Sequence, residues 1–191
     1  MDIIVKNLNK SFGDQQVIRD FSCRIPEGKT TCIMGDSGCG KTTFLNILLG
    51  ISQADSGVVE GIPAGSLAAV FQEDRLCENL SAASNLRLVC KRHLSEQEIR
   101  EAFARVKLED VWQKPVRELS GGMRRRVAIL RALVAEADCI MMDEPLKGLD
   151  PETKEKTAGY IKEQAVGKTL IVITHDQSDA PLLGAEDILR L

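Results

Sequence analysis

No stretch of this chain approaches the roughly 20 consecutive apolar residues that a membrane-spanning helix requires. The nearest, Ala128-Ile129-Leu130-Arg131-Ala132-Leu133-Val134-Ala135, is broken by Arg131. The opening residues, Met1-Asp2-Ile3-Ile4-Val5-Lys6, do not read as a signal peptide. Cys23, Cys32, Cys39, Cys77, Cys90 and Cys139 are scattered without any C-x-x-C spacing. They read as reduced thiols of a cytosolic protein, not as staples or metal ligands. An excess of basic charge is lacking too. The formal net charge is −3 and Arg124-Arg125-Arg126 is the one dense basic run, which argues against a nucleic-acid partner. Internal repeats, low-complexity tracts and linkers are missing. What remains is 191 residues, 43% apolar and 28% charged, the profile of a single domain with a substantial core. Any membrane role would have to come through a partner chain.

One stretch dominates what is present. Gly35-Asp36-Ser37-Gly38-Cys39-Gly40-Lys41-Thr42 fits G-x-x-x-x-G-K-[ST], a phosphate-binding loop. Thr30-Thr31-Cys32-Ile33-Met34 reads as a buried strand entering it. Thr43-Phe44-Leu45-Asn46-Ile47-Leu48-Leu49 reads as a helix leaving it and ending at Gly50. Glycines let the backbone curl round an anion with several N–H groups turned inward, and the helix start adds its positive dipole end. Lys41 would reach the β- and γ-phosphates and the Thr42 hydroxyl would ligate Mg²⁺. These eight residues and Thr43 are the candidate ATP-binding residues.

The rest of the chain reads as one α/β domain. Residues 3–8 and 17–25 pattern as strands, with Asn9-Lys10-Ser11-Phe12-Gly13-Asp14 between them as a turn. Gly57-Val58-Val59-Glu60 suits an edge strand, and Leu67-Ala68-Ala69-Val70-Phe71 a buried one ending at Gln72. From about residue 74 to 118 the pattern turns helical. Its clearest sign is the capping box Ser95-Glu96-Gln97-Glu98, followed by Ile99, Ala102, Phe103 and Val106 on one face. Trp112 is expected inside this insert. Leu119-Ser120-Gly121-Gly122-Met123 opens another helix. Residues 139–142 and 169–174 are apolar strands that deliver Asp143-Glu144 and His175 at their ends. Asp150 caps a helix with Pro151 in its first turn. Polar residues therefore gather at the C-terminal ends of parallel strands, where such sheets bind ligands.

Behind a phosphate loop those strand ends acquire roles. Asp143 would hold the Mg²⁺ sphere and Glu144 would polarise the attacking water. His175 would contact the γ-phosphate or that water, and the Gln72 amide would touch metal or water. Ser120, Gly121 and Gly122 form a second anion cradle at a helix N-terminus. One nucleotide does not need two cradles from one chain. Under two-fold symmetry each Ser120-Gly121-Gly122 would instead cap the γ-phosphate held by a second copy.

Taken in order, these motifs resemble those of ABC-type ATPase subunits, over essentially the whole chain. The resemblance makes residues 35–42 the Walker A loop, Gln72 the Q-loop glutamine, 119–123 the signature, 139–144 Walker B, Gly148-Leu149-Asp150 the D-loop and His175 the switch histidine. It implies that Phe12 stacks on the adenine and that Asp150 lies at the nucleotide seam. It also implies a P-loop NTPase fold: a mainly parallel central sheet, an antiparallel β edge and an inserted α-helical subdomain at about 74–118. Phe71-Gln72-Glu73-Asp74-Arg75-Leu76 and the signature variant are similar to the nitrate, sulfonate and taurine importer ATPases. That branch implies ATP and Mg²⁺ as cofactors, permease subunits docked on the helical insert, a second ATPase subunit, an indirectly coupled receptor protein, and a place on the cytoplasmic face of the membrane. The sequence departs from the family at Met123 and Arg125, where Gln is commoner, at Lys147 before the D-loop, and in a short tail. An exporter ATPase, a soluble ABC-type ATPase and a small-molecule kinase stand as alternatives.

Overall fold

The computed structural model describes residues 1–63 and 67–191. Two sheets organise the molecule. The first is antiparallel, with strand order β2-β1-β4, built from β1 (Ile3–Phe12), β2 (Gln15–Ile25) and β4 (Ser56–Glu60). The second has five parallel strands in the order β5-β6-β7-β3-β8: β3 (Thr30–Met34), β5 (Leu67–Val70), β6 (Cys139–Asp143), β7 (Thr169–Ile173) and β8 (Asp187–Arg190). Helices α1 (Lys41–Leu48), α2 (Ala82–Arg87), α3 (Glu96–Arg105), α4 (Gly121–Val134), α5 (Pro151–Gln164) and α6 (Asp179–Leu183) complete the fold.

The parallel strands are apolar runs because both of their faces are covered. Every residue of β6 and β7 is buried. Alternation splits them: Cys139 and Met141 face α1 and the antiparallel sheet, while Ile140 and Met142 join a core with α2 to α5. Phe44 of α1 is fully buried and meets Phe21 edge-on, ring centroids 5.2 Å apart. Burying a side chain of this size contributes about 1.5–3 kcal/mol.

Asn9-Lys10-Ser11-Phe12 is not a turn. β1 runs on to Phe12, which pairs with Gln15, and the turn is confined to Gly13 and Asp14. The cause is a series of register shifts between β1 and β2. Asn7 and Asp20 take positive φ there and their side chains bond to each other at 2.7 Å. Such bulges break the alternation by which a strand is recognised in sequence.

The capping box forms as expected, with Ser95 and Glu98 bonded reciprocally, and Ile99, Ala102, Phe103 and Val106 are buried below it. Residues 82–118 close on themselves where Ala82 and Ala83 N–H donate to the carbonyls of Lys114 and Trp112. Trp112 is half-buried against the core, with the Arg100 guanidinium 5.0 Å from its ring centre.

Candidate nucleotide site

Parallel pairing puts the C-terminal ends of β3, β5, β6 and β7 on one side of the sheet. β3 enters the 35–40 loop there. Gly40 precedes α1 at φ +101°, and a Cβ on it would lie 2.8 Å from a Val17 methyl. At Gly35 a Cβ would stand 2.6 Å from Cys39 Sγ and 2.8 Å from the Leu191 carbonyl oxygen. At Gly40 the positive φ and the close Val17 backbone favour glycine, and at Gly35 any side chain would force its neighbours to shift. Lys41 is buried and turned back into the loop, donating to the carbonyls of Gly35 at 2.8 Å and Asp36 at 2.7 Å, with Cys39 Sγ at 3.7 Å.

Thr42 Oγ1 donates to Asp143 Oδ2 at 2.7 Å across the junction of α1 and β6. Asp143 is 2% exposed. Burial pushes its carboxyl above the usual range and the neighbouring Glu144 charge adds to this, against the pull of Thr42, Arg125 and Lys41.

Glu144 follows in the left-handed region, at φ +49°, with its N–H on the Ile173 carbonyl at 2.8 Å. A non-glycine residue held there costs of order 1–3 kcal/mol, a strain found most often at functional sites. The bend brings Glu144 Oε1 to 2.6 Å from His175 Nδ1, while Lys147 Nζ stands 3.0 Å from Oε2. Burial raises the Glu144 carboxyl, but His175 and Lys147 outweigh it and leave it below its ordinary value.

These groups surround one cavity of about 440 Å³, lined by Ser37, Gly38, Gly40, Lys41, Thr42, Thr43, Gln72, Asp143, Glu144, His175 and Lys147. Gly35, Asp36 and Cys39 frame its loop. The other candidates lie off that lining. Phe12 is 55% exposed at the end of β1. Asp150 caps α5 by accepting from Thr153 N–H at 3.0 Å. Ser120 caps α4 through Met123 N–H at 3.3 Å, with Gly121 and Gly122 in the first turn.

Three features escaped the sequence reading. Lys147 reaches the site, although only its oddity ahead of the D-loop was visible. Arg125 grips the carbonyls of Phe71 and Gln72. Lys154 of α5 ties the loop after His175 through Asp176, Ser178 and Asp179, with Nζ to Asp179 Oδ1 at 2.6 Å. Spacing gives no sign of either grip.

The family description "ABC transporter" matches residues 18–147. The chain belongs to the ABC transporter family. The taurine import ATP-binding protein TauB of Jannaschia sp. (strain CCS1) is 36% identical over 95% of this chain and 75% of its own length. The sulfate/thiosulfate import ATP-binding protein CysA of Burkholderia mallei (strain ATCC 23344) is 35% identical over 94% of this chain. The chain spans only 57% of that relative's length. Among solved structures, the dimeric bacterial ABC transporter cassette MJ0796 superposes with TM-score 0.85 at 30% identity, covering 99% of this chain and 94% of its own. The same cassette in a post-hydrolysis state bound to ADP and Pi gives TM-score 0.84 at 29% identity. The α/β architecture of two sheets is thus that of ABC ATPase cassettes, a family that binds nucleotide.

Proposed function

We propose that this chain is the ATP-binding and ATP-hydrolysing subunit of a membrane importer, working as a dimer of ATPase subunits. The observation that carries the proposal is the single cavity in which Lys41, Thr42, Asp143, Glu144 and His175 converge. A triphosphate in the 35–42 loop would draw Lys41 away from the carbonyls of Gly35 and Asp36, and Glu144 would act on the attacking water.

The donors Thr42 Oγ1 and Asp143 Oδ2 are hard oxygens, as Mg²⁺ requires, and the buried Asp143 charge would gain a counter-charge from it. Gln72 faces the same cavity and completes the candidate set. Once bound, the ion would neutralise charge on the β- and γ-phosphates. Phe12 is the candidate adenine platform, and its exposure leaves its ring available for stacking.

The second cradle supports the shared site. A Cβ at Gly121 would meet nothing within 4 Å among the described residues. Among the described residues no contact calls for glycine there, so the demand fits a partner approaching from outside, here the phosphate held by a second subunit. Asp150 lies near that seam in this reading. The whole chain forms one ATPase domain with a helical subdomain at about 74–118 on which permease subunits dock. A receptor protein is coupled only through them. Among the described residues no helix is long and apolar enough to cross a membrane, so a place on the cytoplasmic face would depend on those partners. The names of the relatives support import; the substrate would be set by the permease and receptor.

The direct test is ATP turnover by the purified chain. Lys41→Ala is expected to lower it about 10²-fold or more, the cost of removing a charge-stabilising donor. Near-normal turnover in that variant would end the case for this cavity as the hydrolytic site.

A further inference from the structure

Between the two anion cradles of the chain runs a physical tie. Gln72 sits just beyond β5 and is among the residues that line the cavity. Its backbone is held by α4, the helix that begins after Ser120. Arg125, 12% exposed, donates one guanidinium nitrogen to the Phe71 carbonyl and the other to the Gln72 carbonyl. Its Nε also stands 3.4 Å from Asp74 Oδ1. Further along the helix, Arg131 donates to the Arg75 carbonyl at 2.7 Å and the Asp74 carbonyl at 3.2 Å. The Arg75 guanidinium lies 3.8 Å from the Phe71 ring centre. Residues 71–75 are therefore fastened to α4 through the carbonyls of Phe71, Gln72, Asp74 and Arg75.

We propose that Arg125 is a positioning residue for hydrolysis, whose forked grip on Phe71 and Gln72 makes the Gln72 amide and the Ser120 end of α4 move as one body. A planar guanidinium offers two nitrogens in a fixed fork to two adjacent carbonyls, a geometry that a single ammonium reproduces poorly. Approach of the Ser120 end to a phosphate on a second chain is then transmitted to Gln72 in its own cavity. The inference rests on the proposed hydrolytic reading of that cavity. It adds a role for a residue that touches neither nucleotide nor metal.

The test is a double-mutant cycle read in steady-state ATP turnover. Arg125→Met is expected to lower kcat about 10-fold while KM for ATP stays within about 2-fold, because the 35–42 loop keeps its contacts. Arg125→Lys should recover only part of the loss. In a Gln72→Ala background, Arg125→Met should cost less than about 2-fold more, since the group it positions is already gone. Asp74→Asn added to Arg125→Met removes the carboxylate that loses its partner and should not restore kcat. If Arg125→Met does not fold, Arg125→Lys carries the same cycle. A folded Arg125→Met with wild-type kcat, or an equal cost with and without Gln72, overturns the inference and leaves the functional reading intact. A wild-type chain without ATP turnover overturns that reading, and the inference with it.

Discussion

His175 Nδ1 lies 2.6 Å from Glu144 Oε1, joining the ends of two neighbouring parallel strands. The contact follows from register: Asp143 pairs with Ile173, so the residues just beyond both strands emerge side by side. If His175 orients Glu144 or the group it acts on, His175→Ala should lower kcat by about 10²-fold, the low end for a positioned acid–base partner. ATP affinity should be nearly unchanged. Turnover combined with a nucleotide-binding titration separates the two. Weakened binding at unchanged kcat would assign His175 to ground-state contact alone.

Cys39 offers a chemical probe of the same loop. The residue is partly exposed, and its sulfur lies 3.7 Å from Lys41 Nζ. Burial pushes the thiols of Cys32 and Cys139 up to about 12 and that of Cys23 up to about 11, which keeps them inert. A maleimide should abolish the proposed ATP turnover, ATP should slow this, and Cys39→Ser should keep turnover and resist the reagent. Cys77 is exposed and Cys90 partly exposed, so both can label and the experiment belongs in a Cys77→Ser/Cys90→Ser background. Inactivation that ATP does not slow would place the reactive thiol outside the nucleotide loop.

Glu98 carries a pH signature in the helical insert. Bonds from Ser95 side chain and backbone, then Arg92, hold its carboxyl at about 2, against an ordinary 4.5. A carboxyl lowered on folding stabilises the fold above its unfolded value, and that contribution fades as pH falls from 4.5 towards about 2. Glu98→Gln should therefore lower the thermal midpoint at neutral pH, with the gap to wild type closing over that acid range. A gap that is constant with pH would mean that the charge of Glu98 contributes nothing.

How much of this was legible in sequence depended on how local the cause was. The 35–42 loop, the capping box at Ser95 and the apolar runs of β6 and β7 follow from short-range patterns, and the structure places them as read. The strand through Asn9 and Phe12 was missed because bulges disrupt its period. Lys147 and Arg125 were visible as unusual residues, but their partners were not. Arg125 meets Phe71 across 54 positions of sequence, and only the packing of α4 beside β5 decides where a long side chain ends.

The shared nucleotide site is the central claim, and Glu144→Gln tests it most directly. The amide keeps size and hydrogen bonding but loses the base, so ATP should bind and stay unhydrolysed. The γ-phosphate would then go on bridging the 35–42 loop of one chain to Ser120 and Gly121 of the other. Ligand that binds only the closed state stabilises it, so the dimer should depend on ATP. Size-exclusion chromatography of Glu144→Gln is expected to show a dimer with ATP, a monomer without it, and a monomer again once Ser120→Arg is added. A Glu144→Gln protein that binds ATP tightly yet stays monomeric, or a dimer that survives Ser120→Arg, would contradict the shared site.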